Sequence, residues 1–186
     1  MFSFGGAKNV IGLDIGSYSI KIVNLKTGKE PQLLNFGIIS LPHEGAVVDG
    51  AIVDGPAVSE SLKEFFKQSK FKTGNVVASV SNQNIITRFI KVPLMADDEM
   101  DEAIKYEAEQ YVPYALEDMN LSYHKLAQVE DDGMAQSSVL LVCAQKEFIT
   151  NFTSTLKEAG ITPQVLDVDN LAIINALETS IRWHMV

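Results

Sequence analysis

The chain has 186 residues, of which 46% are hydrophobic and 21% charged, so it has enough apolar material to bury a substantial core. Its formal net charge of −9 argues against a nucleic-acid partner, because phosphate binding requires a local excess of Lys and Arg. The apolar runs are far shorter than the roughly 20 residues of a membrane-spanning helix, and the N-terminus has no secretory leader pattern. We therefore expect a cytoplasmic protein.

The single cysteine, Cys143, excludes an internal disulfide and a cysteine-based zinc cluster. It lies in the apolar run Val139-Leu-Leu-Val-Cys-Ala144, which is typical of a strand and predicts a small buried hydrophobe instead of a nucleophile. The three histidines are far apart in the chain and have no metal-ligand spacing, so the sequence predicts no zinc site.

The N-terminal part of the chain predicts a three-stranded antiparallel meander followed by a helix. Two short β-rich segments flank the tight turn Gly16-Ser-Tyr18, and a third apolar segment follows. Val58 and Leu62 recur at helical spacing and define one buried helix face. The predicted elements are strands at residues 10–15, 19–25 and 31–41, a loop at 42–56 and a helix at 57–69.

The rest of the sequence predicts two strands, a helix and two more strands. A helix, a strand and a last helix follow. Asp97 is expected to cap the first of these helices, whose first turn is acidic. Gly160 is expected to end the second in a left-handed conformation, and Ile174 and Leu177 to lie on the buried side of the last. The elements are strands at 75–81, 85–92, 121–129, 137–144 and 164–168, with helices at 97–111, 146–159 and from 170 onward.

The segment Ile11-Gly-Leu-Asp-Ile-Gly-Ser-Tyr-Ser-Ile-Lys21 carries the clearest chemical signal. A strand that ends in Asp14 and turns at Gly16 through small hydroxyl residues can point backbone N–H groups at an anion. Asp14 can hold Mg²⁺ through water, and Lys21 can neutralise phosphate charge. The predicted phosphate-binding residues are Asp14, Gly16, Ser17, Tyr18, Ser19 and Lys21. The alternative is an ordinary hairpin whose Lys21 lies on the solvent side.

The position of this hairpin, ahead of a third strand and a helix, resembles the opening of domains in the actin, sugar-kinase and heat-shock chaperone ATPase superfamily. Members of that superfamily bind the phosphates of ATP with such a hairpin, so the resemblance implies an α/β fold of the actin-like (RNase H-like) type. It also implies ATP and Mg²⁺ as cofactors.

Later motifs resemble one family in that superfamily, the PilM proteins of type IV pilus assembly. The similar segments are Gly45-Ala-Val-Val-Asp-Gly50 with Ile52-Val-Asp54, then Ile104-Lys-Tyr-Glu-Ala-Glu-Gln-Tyr-Val-Pro-Tyr114, Asn120-Leu-Ser-Tyr123 and Gly160-Ile-Thr-Pro-Gln-Val-Leu-Asp-Val-Asp169. The similarity extends to about Leu177, and the Glu-Ala-x-Gln-Tyr-x-Pro pattern at residues 107–113 is specific to PilM within the superfamily.

The resemblance implies the domain arrangement of the cell-division protein FtsA. Residues 1–74 and 145–181 would form subdomain 1A with the phosphate-binding hairpin, 75–144 an inserted subdomain 1C, and 182–186 a tail. PilM proteins bind the cytoplasmic N-terminal peptide of the inner-membrane protein PilN in a groove between 1A and 1C. They thereby connect it to the pilus motor ATPases that drive twitching motility, which implies a location at the inner membrane.

Candidate residues for the partner peptide are Tyr106, Glu109, Tyr111 and Tyr114 around Pro113. These tyrosines either frame an aromatic pocket for apolar peptide residues or fill a core, since both uses give aromatics at helical spacing. Glu109 either pairs with a basic peptide or belongs to a solvated helix face.

The chain departs from the family because no second Asp-x-Gly hairpin and no adenosine-binding turns follow Leu177. We therefore expect weak or absent ATP binding and negligible hydrolysis. Apolar surface that a second domain would cover can also drive self-association of two chains.

The leading hypothesis is a docking scaffold. The alternative is the N-terminal half of an ATP-using enzyme of the actin and sugar-kinase superfamily, and a filament former would need both halves.

Overall fold

A computed structural model of the protein describes residues 9–28, 30–83, 85–131 and 133–184. Two compact units are present: Met1–Asn82 together with Asn151–Val186, and Gln83–Thr150. In chain order the elements are β1 (Asn9–Ile15), β2 (Ser19–Lys26), β3 (Gln32–Ser40), β4 (Val47–Val48), β5 (Ala51–Ile52), α1 (Gly55–Gln68), β6 (Val76–Val80), β7 (Ile85–Pro93), α2 (Asp97–Ala108), a 3-10 helix (Leu116–Asp118), β8 (Met119–Asp131), β9 (Met134–Gln145), α3 (Lys146–Glu158), β10 (Pro163–Val168) and α4 (Asp169–His184).

The first unit is built on a five-stranded mixed sheet with the order β10-β6-β1-β2-β3. The predicted meander forms its antiparallel half, while β6 and β10 lie parallel to β1. One face of the sheet is apolar and buried, because alternate residues along each strand point to the same face and these are β-branched residues and leucines. Leu13, Ile20 and Ile22 are at most 2% exposed.

Helix α1 begins where the sequence supplies a cap and a proline. The Asp54 carboxylate accepts a hydrogen bond from the Ala57 N–H at 3.1 Å, and Pro56 occupies the first turn, where its missing N–H costs nothing. Val58 and Leu62 are fully buried, as their helical spacing predicts.

Helix α3 contributes the largest fully buried side chain of the described core, Phe152, together with Leu156. The helix ends as expected at Gly160, whose φ is +76°. The N–H of Gly160 donates to the Lys157 carbonyl at 3.0 Å and that of Ile161 to the Leu156 carbonyl at 2.9 Å, which satisfies the last turn.

The second unit is a three-stranded antiparallel sheet, β7-β9-β8, packed against α2. Burial of Met100, Ile104 and Ala108 on α2 follows their period of three to four residues. The facing strand β9 buries Val139, Leu141 and Cys143. The prediction for Cys143 is confirmed, and burial raises the pKa of its thiol.

Several details differ from expectation. The inserted module was predicted at 75–144, but Val76–Val80 is a strand of the five-stranded sheet, and the second unit comprises Gln83–Thr150. Asp97 does not cap α2, because Ala96 holds the cap position and its N–H donates to Glu99 Oε2. The helix predicted at 97–111 ends at Ala108.

Further differences concern α4 and the expected tail. Ile174 and Leu177, predicted to lie on its buried side, are 51% and 56% exposed. The expected tail at 182–186 is helical through His184, and residues 185–186 lie outside the described ranges. None of the helices in the described ranges is long and apolar enough to cross a membrane.

Candidate functional site

The predicted phosphate-binding residues all lie on one tight hairpin. Strand β1 ends at Ile15, β2 begins at Ser19, and the Gly16 N–H donates to the Ser19 carbonyl at 3.1 Å. Tyr18 projects from the tip and is 93% exposed. The turn therefore leaves its tip open to solvent, as an anion site would require.

Asp14 and Lys21 face each other across the hairpin. Their Cα atoms are register partners, and Lys21 Nζ donates to Asp14 Oδ2 at 2.8 Å. Both side chains are about half exposed, at 54% for Lys21 and 47% for Asp14. Because the pair is solvated, its own contribution to stability is small, and the lysine can exchange the carboxylate for another anion at low cost.

Gly16 keeps space open beside this pair. A Cβ at this position would lie 3.4 Å from the Ser19 carbonyl oxygen and 3.5 Å from Lys21 Nζ. Any larger side chain would occupy the side of the hairpin where the lysine amine lies. The residues present thus fit one wall of a phosphate cradle, formed by the turn and Lys21.

Two polar residues that were not predicted extend this site along the sheet. In the parallel register Asp14 lies beside Ser79 of β6, and Ser79 lies beside Asp167 of β10. Ser79 Oγ lies 3.5 Å from Asp14 Oδ1, and Asp167 Oδ1 accepts from the Val168 N–H at 2.8 Å. All three side chains are partly buried. Asp167 belongs to the family-like segment 160–169, which could have indicated it.

The spacing of this row limits how a magnesium ion could be held. Asp14 and Asp167 are separated by one strand, so their backbones are roughly 9–10 Å apart. That spacing prevents both carboxylates from binding one ion directly, but a hydrated Mg²⁺ keeps several of its waters and can be held through them. Within the described ranges no cluster of three or more His, Cys, Asp or Glu residues forms a direct metal site. A water-mediated ion at Asp14 is compatible with this spacing and stays a prediction.

The predicted peptide-binding residues lie in the second unit and are exposed. Tyr106 is on α2 and is 70% exposed, whereas Tyr111 and Tyr114 follow the helix and are 42% and 44% exposed. Glu109, the helix C-cap, is also exposed. These exposures show that the three tyrosines do not fill a core in the described residues. The interpretation as an aromatic pocket for a peptide stays a prediction.

Two cavities in this unit adjoin residues that the sequence did not indicate. The larger, of about 660 Å³, is lined by Asp101, Lys105, Leu116, Glu117, Met119, Asn120, Leu121, Ser122, Tyr123 and Lys146. The smaller, of about 320 Å³, is lined by Tyr114, Ala115, Asp118, Gln145, Lys146 and Glu147. Both mix apolar side chains with charges of both signs, so they suit a peptide better than a purely apolar ligand.

Two residues hold the walls of the larger cavity in place. Lys146 Nζ donates to the Glu117 carbonyl at 2.6 Å, which fixes the 3-10 helix against the start of α3. The Tyr123 hydroxyl donates to Asp101 Oδ1 at 2.8 Å, and this bond raises the pKa of Tyr123. Both cavities share Lys146, and Tyr114 is the predicted residue that lines one of them.

The family-like loop at 45–54 has a structural role in the first unit. Asp49 and Gly50 both have positive φ, at 49° and 77°, as the two-residue hairpin turn between β4 and β5 requires. Asp54 caps α1 and also accepts from His43 Nε2 at 3.0 Å. These motif residues therefore fix the chain path from β3 to α1.

Comparisons with known proteins agree with this architecture. The family model of type IV pilus assembly protein PilM matches residues 12–184. The solved PilM-PilN type IV pilus biogenesis complex contains a chain that is 30% identical and superposes with a TM-score of 0.81, over 94% of this chain and 52% of that chain.

A second solved structure, the cytoplasmic domain of EpsL from the type II secretion system of Vibrio cholerae, is 13% identical. It superposes with a TM-score of 0.56 over 86% of this chain and 57% of that one, a likeness of fold alone. This chain therefore spans about half the length of the solved proteins it matches. The predicted α/β, actin-like fold and the resemblance to the N-terminal half of PilM are confirmed, and the chain belongs to the type IV pilus assembly protein PilM family.

Proposed function

We propose that this chain is a cytoplasmic docking scaffold of the type IV pilus assembly platform, which binds the N-terminal peptide of a PilN-type inner-membrane protein. The observation that carries the proposal is the match, over 94% of the chain, to a protein solved in a PilM-PilN complex. Binding such a peptide would place the chain at the cytoplasmic side of the inner membrane and link it indirectly to the motor ATPases.

The exposed tyrosines support a peptide partner. Tyrosine offers a large apolar ring with one polar atom and loses little entropy on binding, so it is enriched at interface hot spots. Tyr111 and Tyr114 lie on both sides of Pro113, which fixes the backbone between them. Glu109 and the acidic lining residues Asp118 and Glu147 would favour a peptide that combines apolar and basic residues.

A calorimetric titration tests the docking function. The probe is a synthetic peptide of the N-terminal residues of a PilN-type protein from the same organism. We expect Tyr111→Ala and Tyr114→Ala each to weaken binding by about tenfold or more, as for hot-spot residues. Phe89→Ala is the matched control, because Phe89 is an aromatic that is 75% exposed in the same unit but lies on β7, outside the segment 106–114 that carries the tyrosines.

Three outcomes would contradict the docking proposal. Absence of heat at millimolar peptide would remove the scaffold function for this chain. Equal affinity of the wild type and both tyrosine variants would place the peptide elsewhere on the protein. A loss of binding in Phe89→Ala as large as in Tyr114→Ala would show that the loss is not specific to the tyrosines.

A second, subordinate proposal concerns nucleotide. The hairpin with Asp14, Gly16 and Lys21 supports one half of a Mg–ATP site, in which Lys21 would move from the carboxylate to phosphate oxygens. A cradle wall that contacts the phosphates from one side predicts weak binding. It also predicts no hydrolysis above background, because the transferred phosphoryl group needs charge stabilisation on every side.

Thermal unfolding with and without Mg–ATP tests this second proposal, since a ligand that binds only the folded state raises the Tm. We expect a small rise in the wild type that disappears in Lys21→Ala. Lys63→Ala is the control, because Lys63 is also an exposed lysine in an ion pair, with Glu60 at 3.3 Å. An unchanged rise in Lys21→Ala would make the hairpin merely structural. Steady phosphate release would favour the enzyme alternative.

A further inference from the structure

The edge strand β3 differs from the other strand edges in the described part of the chain. Edge strands expose unpaired N–H and C=O groups, and proteins protect them with charges, prolines or bulges. Each of the other edges of the two larger sheets is protected: β7 by Arg88, Lys91 and Pro93, β8 by Lys125 and Glu130, and β10 by Pro163 and Asp167. The sequence of β3, Gln-Leu-Leu-Asn-Phe-Gly-Ile-Ile-Ser, has neither a charge nor a proline.

One face of β3 is covered and the other is open. Gly37 faces α1, since a Cβ at this position would lie 2.6 Å from the Phe65 ring. Phe36 and Ile38 point to the opposite face, because successive side chains alternate. These two residues are 65% and 66% exposed, which is unusual for apolar side chains on one strand face.

The free hydrogen-bonding groups of β3 can be assigned from the register. The Gly16–Ser19 bond closes the β1–β2 hairpin, and bonded pairs alternate along an antiparallel ladder, so the backbone groups of Ile20 and Ile22 point at β3. Their partners on β3 are Ile39 and Gly37. The backbone groups of the intervening residues therefore point away from the sheet.

Those outward residues are Phe36 and Ile38, the same two whose side chains are exposed. The Phe36 N–H donates at 2.9 Å to Oδ1 of its neighbour Asn35, which agrees with an N–H that β2 does not use. The ladder is irregular between Asn35 and Leu33, so the regular part of the edge runs from residue 35 to 40. That part is about 20 Å long.

We propose that β3 pairs antiparallel with β3 of a second copy of this chain, with Gly37 on the two-fold axis. In this register the outward groups of Phe36 bond those of Ile38 in the other copy, and both side-chain pairs lie on the same open face. An aromatic ring opposite a β-branched side chain is a favourable cross-strand pair. The two copies would form one continuous ten-stranded sheet.

Self-complementarity favours a second copy over a foreign peptide. Two chains of net charge −9 repel each other overall, but β3 is uncharged, so pairing along this strand brings no like charges into contact. The strand is self-complementary about the two-fold axis, as a closed dimer requires. It has no charged side chain that would select a foreign sequence. An interface of this length is small, so we expect a weak dimer with a dissociation constant in the micromolar range.

Sedimentation velocity over a wide range of concentrations tests the pairing. We expect a reversible monomer–dimer equilibrium, which Phe36→Lys and Ile38→Lys each weaken by about tenfold or more because each places a lysine in the paired edge. Phe89→Lys is the matched control, since it adds the same charge at a 75% exposed aromatic on β7. The control should dimerise like the wild type.

Two further measurements make the test specific to this register. Asn35→Ala should strengthen the dimer, because it frees the Phe36 N–H from its local acceptor. In amide hydrogen exchange, the Phe36 and Ile38 amides should become more protected as concentration rises. A chain that stays monomeric at all concentrations, a dimer that survives Phe36→Lys, or amides that stay unprotected in the dimer would each overturn the proposal.

Discussion

A pair of glycines with similar backbones allows one steric contact to be measured. Gly50 and Gly45 both adopt the left-handed conformation, with φ of +77° and +82°. A Cβ at Gly50 would lie 1.6 Å from the Ser81 carbonyl oxygen, whereas a Cβ at Gly45 has no atom within 4 Å. An alanine therefore suffers similar backbone strain at both positions. Only at position 50 does its Cβ also collide with the Ser81 carbonyl oxygen.

The expected magnitudes follow from these geometries. Gly45→Ala should lower the free energy of unfolding by about 1–2 kcal/mol, the cost of a left-handed conformation for an L-residue. Gly50→Ala should lower the free energy of unfolding by the same amount and by about 1–3 kcal/mol more, because the backbone of Ser81 must move. That movement also disturbs the bond from Asn82 Nδ2 to the Asp49 carbonyl, 2.8 Å long, which contributes about 1 kcal/mol.

Urea unfolding of both variants, followed by circular dichroism, measures the difference. We expect Gly50→Ala to be less stable than Gly45→Ala by at least about 2 kcal/mol, a large share of the stability of a small domain. If Gly50→Ala does not fold, Gly50→Asn and Gly45→Asn replace the pair, since asparagine tolerates positive φ but still carries a Cβ. Equal destabilisation at both positions would refute the contact with Ser81.

Three further predictions concern other parts of the chain. The hydrogen bonds of His43 to the Glu44 carbonyl and to Asp54 raise its pKa above 6.5, and the bond from His43 lowers that of Asp54 below 3.8. The contribution of the pair is thus complete from 3.8 to 6.5 and is lost as pH rises through the folded pKa of His43 or falls through that of Asp54. His43→Gln should lower the urea midpoint more at about pH 5 than at about pH 9, and an equal effect would contradict this. Cys143 is fully buried, so a thiol reagent should modify it only as fast as the second unit opens, and modification at the rate of a free thiol would contradict its burial. Ile104→Ala should cost about 2–5 kcal/mol and Ile104→Val about 0.5–1.5 in urea unfolding, and equal losses would argue against a tightly packed core.

Most helices and strands could be predicted because local patterns decide them. The β1–β2 hairpin follows from two β-rich segments around Gly16, and the buried faces of α1 and α2 follow from helical spacing. Gly160 ended α3 as predicted, since a residue without a Cβ adopts positive φ without strain. Asp14 and Lys21 could be paired from the sequence because the turn between them is short.

The β4–β5 hairpin was missed for a local reason. Its strands have two residues each, so no alternation is long enough to recognise, although the Asp49-Gly50 turn is a favoured hairpin pair. The start of the inserted module was misplaced because β6 has the apolar alternation of any strand. Nothing in Val76–Val80 itself tells which sheet it joins.

The sequence by itself determined the family, the fold class and the β1–β2 hairpin that carries Asp14 and Lys21, because these depend on residues close together in the chain. Only the tertiary structure placed Ser79 beside Asp14 and Asp167 one strand further along, since this row forms by parallel pairing of strands more than sixty positions apart in the chain. It also decided that Phe36, Ile38 and Leu177 stay exposed. Periodicity reports which side chains share a face, but only packing decides whether another element covers that face.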